Sequence, residues 1–266
     1  MATLCEELGL PRADGSLGVE IECEGENLRE FHNAEWTTHK DGSLRGEFPY
    51  RSAEYVMQRP LDYKEAVQAV RNLKRLLANN NAKLEFSFRT SVHVHCNVQE
   101  LTMEQIGNFI YTYLLFENAL VGLCGSHRIG NRFCLRLQDS DVLVDALEAF
   151  LKDGFRGVPR LQPDQLRYAA LNVASLNKYG SIEIRSMQGT LDEEVLSTWF
   201  RLILSIRKFA KSVPDRKAIA KMLNDLGVVE FTKAVFKEDA PFLIQSCNIQ
   251  NEVLSGYSYS LPILHA

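Results

Sequence analysis

The chain has 266 residues, of which 45% are hydrophobic and 24% are charged, and these proportions are ordinary for a globular protein with a good-sized core. A formal net charge of −4 and a pI near 5.9 argue against a protein that holds nucleic acid mainly through its phosphates. No uninterrupted apolar run approaches the length of a membrane span, so no membrane partner is expected.

The cysteines carry no metal or redox motif. No C-x-x-C pair occurs among them, which excludes zinc-finger and thioredoxin-like spacings. Cys23 and Cys96 alternate with polar residues and are predicted to be free thiols on apolar strand faces. The N-terminus shows early acids and no basic segment followed by an apolar one, so no secretory signal is expected. We therefore expect a reducing, cytoplasmic setting.

The first predicted strand covers about residues 18–24. Period-two alternation places successive side chains on opposite faces of a strand. One face carries Glu20, Glu22 and Glu24, and the other carries Val19, Ile21 and Cys23. A polar stretch follows, with Asp41-Gly42 as a hairpin signal. A further strand is predicted from Glu54 to Met57.

A helix and then the longest alternation of the chain come next. Asp62 and Glu65 form a capping-box pattern before a helix that ends at the asparagines 79–81. A strand is predicted from Glu85 to Val98. Its polar face would carry Glu85, Ser87, Arg89, Ser91, His93, His95 and Asn97. Its apolar face would carry Phe86, Phe88, Thr90, Val92, Val94, Cys96 and Val98.

The rest of the chain is predicted to be mainly helical. Thr102 and Gln105 open a second long helix, and a loop rich in glycine and basic groups follows it. A third helix is predicted over 140–152. Strands over 168–174 and 181–186 form a predicted pair, and Glu183 and Arg185 share one face of the second strand. Two more helices are predicted, one from Leu191 to about 211 and one from Pro214, while the tail from 241 onward shows no clear pattern.

Three widely separated strands therefore each carry a charged face and an apolar back. One sheet whose polar faces line a common cleft satisfies all three strands at once. This predicts an α+β fold: an antiparallel (mixed) sheet with a charged cleft face, and helices packed on the apolar face. We expect residues 1–190 to form the sheet-containing core and residues 191–266 to complete the same domain with helices.

A solvated face is the ordinary interpretation of polar alternation on any one strand. However, Asp and Glu are depleted in strands, and Glu-x-Glu-x-Glu sets like charges on one face unless cations lie between them. Several Glu with one or two His favour a hard cation, Mg²⁺ or Mn²⁺. H-x-H with one Glu can also bind Zn²⁺, and that alternative stays open.

Hard cations together with arginines are typical of sites that handle phosphate. Candidate phosphate-binding groups are Arg89, Arg128, Arg132, Arg136 and Arg185, although Arg136 fits an ordinary surface charge. A P-loop, a dinucleotide-binding glycine motif and a G-x-S-x-G nucleophile elbow are all absent from the sequence. Any nucleotide must therefore be held by metals and arginines.

Taken in order, these segments resemble the amidoligase family. They are GVEIE, DGSL, EYVMQRPL, SVHVHCNV, GNR, RYAALNV and SIEIRSMQGTLD. That family belongs with the carboxylate–amine ligases, alongside glutamine synthetase and glutamate–cysteine ligase. The resemblance implies a glutamine synthetase-like catalytic fold, an ATP cofactor and two or three Mg²⁺. It also implies that ATP phosphorylates a carboxylate and that an amine then attacks the acyl phosphate.

The resemblance also assigns expected roles. It implies metal ligation by Glu20, Glu22, Glu54, His95 and Glu183. It implies catalytic roles for His93, Glu183 and Arg185, with Arg185 steadying the transferred phosphoryl group. ATP would be contacted by Arg89, Arg128, Arg132 and His95. The substrate side would hold Asp41, Ser43 and Asn172. MQRP replaces the family's usual Ser-Pro-Pro after Glu54, which alters the expected substrate contacts there.

The expected function is thus an ATP-dependent ligase that joins a small-molecule or side-chain carboxylate to an amine. Related ligases range from single chains to large rings, so an oligomer is open. One alternative is another phosphoryl-transfer enzyme on the same sheet, such as a guanidine kinase. The other alternative is a non-catalytic binding protein that retains the fold.

Overall fold

The computed structural model describes residues 2–161 and 166–266. The strands are β1 Leu17–Glu26, β2 Trp36–His39, β3 Ser52–Met57, β4 Lys83–Glu85, β5 Ser91–Asn97, β6 Leu171–Asn172 and β7 Ser181–Gln188. The α-helices are α1 Leu4–Leu8, α2 Tyr63–Asn79, α3 Met103–Leu123, α4 Asp141–Asp153, α5 Leu176–Tyr179, α6 Glu193–Ser212, α7 Arg216–Phe236, α8 Ala240–Ser246, α9 Ile249–Tyr259 and α10 Leu261–His265. In these described parts no helix is both long and apolar enough to cross a membrane.

The strands form one open antiparallel sheet in the order β2-β3-β1-β5-β7-β6. Strand β1 is long enough to have two partners along one edge: its first half pairs with β5 and its last residues pair with β4. Strand β3 pairs with its other edge. The α+β class and the antiparallel sheet are therefore confirmed, and β1, β5 and β7 are consecutive central strands with β5 in the middle.

One face of the sheet is the core. Val19, Ile21 and Cys23 of β1 are at most 1% exposed, and so are Val92 and Val94 of β5. Burying each such side chain contributes roughly 1.5–3 kcal/mol. Helices α2, α3 and α6 pack on this side, as predicted. The capping boxes of α2 and α3 are both formed, by Asp62 with Glu65 and by Thr102 with Gln105.

The predicted strand from Glu85 to Val98 is interrupted. Strand β4 ends at Glu85 and β5 begins at Ser91, so residues 86–90 form a loop. Phe86 and Phe88 are 40% and 49% exposed, and the prediction that they lie on the buried face is wrong. The alternation continues through the loop sequence, but these residues have left the sheet, so the alternation no longer places their side chains in the core.

The C-terminal region is helical throughout its described length. Helix α7 begins after the Asp215 cap, so Pro214 precedes the helix and does not occupy its first turn. The tail, which showed no pattern, forms α8, α9 and α10. Gly256 lets α9 approach α3 closely, because a Cβ there would lie 2.5 Å from the carbonyl oxygen of Leu115. These helices pack into the same hydrophobic core as the sheet.

Candidate metal centre

The predicted acidic residues meet on the open face of the sheet because of the strand register. Glu22 of β1 lies directly opposite Glu54 of β3. Glu20 of β1 lies opposite His93 of β5. Directly opposed residues in an antiparallel pair have Cβ atoms about 4.5–5.5 Å apart, so their side chains reach one another.

The next pairing extends the same row of side chains. His95 of β5 lies opposite Glu183 of β7, and Asn172 of β6 lies opposite Glu183 on its other edge. Four adjacent strands therefore deliver one continuous set of carboxylates and imidazoles. Asp41, from the loop between β2 and β3, and Arg185 of β7 join this set. We call the whole the acid cluster; its members are Glu20, Glu22, Asp41, Glu54, His93, His95, Glu183 and Arg185.

Within the described residues, three overlapping groups bring their ligand atoms within 4.8 Å of one another. These groups are Glu20–His95–Glu183, Glu20–Glu54–His93 and Glu22–Asp41–Glu54. The last group offers oxygen only, which is the donor set that Mg²⁺ prefers. None of the three contains both imidazoles, so the geometry does not favour a single Zn²⁺ held by His93 and His95 together.

The histidines are held in place by hydrogen bonds. His93 Nδ1 lies 3.1 Å from Glu20 Oε2, and His93 Nε2 lies 2.7 Å from Ser91 Oγ. His95 Nε2 lies 3.2 Å from Glu20 Oε1, and His95 Nδ1 lies 3.0 Å from Ser181 Oγ. Glu20 of β1 therefore contacts both rings, while Ser91 of β5 completes the contacts of His93 and Ser181 of β7 completes those of His95.

The surroundings of the carboxyl groups in the acid cluster shift their pKa values in different directions. Burial disfavours ionisation of Glu20, but hydrogen bonds from His93 and His95 outweigh it, and the pKa of Glu20 lies well below its ordinary value. Burial likewise disfavours ionisation of Glu183, but the charges of Arg185, His95 and His93 together outweigh it and lower the pKa of this carboxyl.

The pKa values of the other two glutamates, Glu54 and Glu22, are raised and not lowered. Burial, with repulsion from Glu20 and Glu22, raises the pKa of Glu54 to about 8. Burial is also the largest influence on Glu22, whose pKa is raised. A divalent cation beside these groups would offset both effects, so the residues present fit a metal centre.

Arg185 reaches the acid cluster from a β-bulge. Val94 pairs with Ile184 and Val92 pairs with Met187, so Arg185 and Ser186 together face His93. The guanidinium of Arg185 forms an ion pair with Glu183, and its Nη1 lies 3.4 Å from His93 Nδ1. Its Nε is buried and has no partner in the described residues, so one donor is left for a ligand.

The remaining predicted phosphate-binding arginines lie elsewhere. Arg128 is fully buried and donates from Nε and Nη2 to the carbonyls of Ser186 and Arg185, each at 2.8 Å. It therefore supports the bulge through the main chain of β7. Arg132 is exposed and stacks on Phe133. Arg136 forms an ion pair with Asp139, and its side chain is only 13% exposed, so it is a partly covered structural charge and not the free surface charge that was expected.

The predicted substrate-side residues border the acid cluster. Asn172 donates to Glu183 Oε2 at 2.7 Å and so orients that carboxylate. The Ser43 N–H donates to Asp41 Oδ1, and the Ser43 carbonyl accepts from Arg89 at 2.8 Å. Asp41 is thus a member of the cluster, while Ser43 and Arg89 lie just outside it.

Two features escaped the sequence analysis. Ser91 donates from Oγ to Glu22 Oε2 at 2.6 Å and links that carboxylate to His93; its place on the polar face of the alternation could have indicated this role. A cavity of about 160 Å³, which we call the slot, opens beside Glu20 and His95. Its other walls include Val56, Pro60 and Tyr179, which carry no chemical signal in the sequence.

The comparisons with known proteins agree with the geometry. A search among proteins of curated function found no match. The family described as "putative amidoligase enzyme" matches residues 18–207, which is more than half of the chain and includes every member of the acid cluster. The chain therefore belongs to this amidoligase family.

Proposed function

We propose that this chain is an ATP-dependent carboxylate–amine ligase that forms an amide through an acyl phosphate, on a glutamine synthetase-like catalytic fold. The observation that carries the proposal is the convergence of Glu20, Glu54 and Glu183 with Arg185 on one face of the sheet. Membership of an amidoligase family supports amide formation as the outcome.

The chemistry requires an activated carboxyl group. A carboxylate is a poor electrophile, and transfer of the γ-phosphoryl group from ATP converts it into an acyl phosphate that an amine can attack. Bound Mg²⁺, or Mn²⁺ in its place, would neutralise the phosphate charge during this transfer. The residues that would hold it are the carboxylates of the three overlapping groups, together with His93 and His95.

Arg185 is the group of this chain best suited to the transferred phosphoryl. Burial disfavours the charged guanidinium, but Glu183, Glu22 and Glu20 together outweigh burial and raise its pKa, so Arg185 stays charged. Its free Nε can donate to a phosphate or acyl-phosphate oxygen. Preorganised donors of this kind contribute roughly 10²–10³-fold to rate.

The slot suits the base of the nucleotide. It lies next to Glu20 and His95, so a base there would direct the phosphates toward the acid cluster. Val56 and the Tyr179 ring give it apolar walls, and the side chain of Gln58 at its edge can hydrogen-bond to a heteroaromatic ring. We therefore propose that ATP enters from this side.

The burial of the acid cluster protects the reaction from water. Glu22 and His93 are each 3% exposed, and Glu183 is 5% exposed. An acyl phosphate formed among these groups would be shielded from hydrolysis until the amine arrives.

The experiment is a screen of pooled carboxylates and amines with ATP and Mg²⁺, read by ADP release and followed by mass spectrometry of any adduct. An amide product together with ADP is expected. A phosphorylated product without an amide would instead identify a kinase on this fold. If Mg²⁺ and ATP fail to bind at all, the ligase proposal is wrong.

A further inference from the structure

Beside the acid cluster, arginines and aromatic rings alternate on the surface. The guanidinium carbon of Arg45 lies 5.6 Å from the ring centroid of Phe88, and that of Arg89 lies 5.5 Å from the same ring. Arg89 also lies 6.0 Å from the ring of Phe133, which Arg132 approaches to 4.8 Å. We call these five residues the rim.

The rim is joined to the acid cluster through three loops. Arg89 donates to the Ser43 carbonyl at 2.8 Å, two residues beyond Asp41. Asn131 donates from Nδ2 to the Phe88 carbonyl at 3.2 Å and ties the loop of Arg132 to the loop of Arg89. The rim therefore borders the Asp41 end of the cluster, whereas the slot borders the Glu20 and His95 end.

The positive charge of the rim is not neutralised by carboxylates of the described residues. Within residues 2–161 and 166–266, Arg45, Arg89 and Arg132 form no ion pair with a carboxylate. Phe88 is 49% exposed, although a large apolar ring gains by burial. The Nε of Arg89 is buried without a partner in that same part of the chain.

These properties define the ligand. A planar ring can stack on an exposed phenylalanine and on the flat face of a guanidinium, and an anionic group can bind the guanidinium donors. The reacting carboxylate must reach Arg185 and the acid cluster. The rim arginines lie outside that cluster, so they would meet a second anionic group on the same molecule.

We propose that the rim binds the acid substrate of the ligation, and that this substrate is a planar aromatic or heteroaromatic acid with a second anionic group. This inference rests on the proposed function, because it names the acid for that reaction. It assigns the two ends of the cleft to different ligands: the slot takes the base of ATP, and the rim takes the acid.

The test measures binding to the whole chain by calorimetry, with Mg²⁺ and a non-hydrolysable ATP analogue both saturating. The probes are naphthalene-2,6-dicarboxylate, succinate, which lacks the ring, and 2-naphthamide, which lacks the charge. We expect the first probe to bind at least about 10-fold more tightly than either of the others. Phe88→Ala and Arg132→Ala should each weaken it about 3- to 10-fold.

The controls are exposed residues of the same types elsewhere in the fold. Arg156→Ala and Tyr259→Ala should leave probe binding unchanged, and thermal unfolding should show that all four variants remain folded. Equal affinity for naphthalene-2,6-dicarboxylate and succinate would overturn the proposal, and so would unchanged binding to both rim variants. Probe binding that is seen without the ATP analogue but lost when the analogue is saturating would also overturn it, because the rim would then be the site of the nucleotide base.

Calorimetry needs no turnover, so the two proposals can fail separately. A protein that binds the probe through the rim but never releases ADP would count against the ligase alone. A protein that forms amides only from acids without a ring would count against the rim alone.

Discussion

Buried carboxyl groups occur in two very different places in this protein. On the open face of the sheet, Glu22 and Glu183 lie among imidazoles, other carboxylates and Arg185. In helix α3, on the helical side, Glu117 is also buried, at 4% exposure, and its Oε2 accepts from the Leu137 N–H at 2.7 Å. Burial alone therefore does not distinguish a functional acid from a structural one.

The difference lies in what surrounds each carboxyl. Burial raises the pKa of Glu117 to about 8, so that this acid keeps its proton at neutral pH and behaves as a polar core group. In the acid cluster the pKa values of neighbouring glutamates are moved apart, with Glu20 and Glu183 lowered and Glu54 raised. A cluster that holds ionised and protonated acids side by side is suited to a cation, whereas a solitary protonated acid is not.

The largest expected effect compares one acid from each place. Glu183→Gln should lower Mg²⁺-dependent ATP turnover by at least roughly 100-fold, because it removes a candidate metal ligand and the partner of Arg185. Glu117→Gln should leave turnover unchanged. The measurement is ADP release at saturating ATP, with circular dichroism to show that both variants are folded. Full activity of Glu183→Gln would remove the basis for the metal centre.

The second prediction concerns how the free energy of unfolding depends on pH. The folded-state pKa of Glu117 is raised from 4.5 to about 8, so the unfolded chain loses this proton first as pH rises. Glu117 therefore contributes a fall in stability between those pH values, on the order of a few kcal/mol. Denaturant unfolding of Glu117→Gln should lack this part of the fall. An identical pH profile for the two proteins would show that Glu117 is not buried as described.

The third prediction uses stabilisation by Mg²⁺ to distinguish the acid cluster from the site of Glu117. Mg²⁺ at 100 times its Kd would stabilise the protein by about 2.7 kcal/mol. Glu54→Gln should reduce this gain by about 1.4 kcal/mol, which corresponds to a tenfold weaker site. Glu117→Gln should retain the full gain. Thermal unfolding with and without Mg²⁺ measures both, and an equal gain in all three proteins would place the metal away from Glu54.

The smallest effect concerns Ser91. Ser91→Ala removes the hydroxyl that donates to Glu22, while the Ser91 N–H continues to donate to the same carboxylate at 2.8 Å. The expected loss is about 1 kcal/mol, typical of one hydrogen bond. Urea unfolding in EDTA measures it. A loss several times larger would mean that the hydroxyl also controls the orientation of His93.

The sheet could be predicted from the sequence where burial on one face enforces alternation. Strands β1 and β5 each bury one face in the core, so their apolar residues had to alternate with polar ones, and the acidic face followed. Strand β2 was not predicted, because Thr37, Thr38 and His39 lie at an edge where little is buried. The loop after Glu85 was misread because Phe86 and Phe88 keep the period of a strand without its pairing.

The site could be predicted from the sequence only where the residue type itself indicates the chemistry. Glutamates, histidines and Arg185 have distinctive side chains, and the strand register brought them together. The slot depends on the shape left between Val56 and Tyr179, which no single residue indicates. The structural role of Arg128 could not be predicted, because it depends on burial and on hydrogen bonds to two main-chain carbonyls. In the sequence, such an arginine cannot be distinguished from one that binds phosphate.

The bulge in β7 has a consequence for how this enzyme can change. Val92 and Val94 are two residues apart, while their partners Met187 and Ile184 are three apart, so β7 contains one residue more than its pairing needs. Removing Ser186 would leave the other side chains of the strand on their present faces, but it would change the aim of Arg185. It would also take away the carbonyl that accepts from Arg128 Nε and the hydroxyl that lies 3.1 Å from the Tyr113 hydroxyl oxygen. A single codon deletion could therefore redirect Arg185, the group that we propose binds the phosphoryl, but only together with a change that satisfies the donors of Arg128.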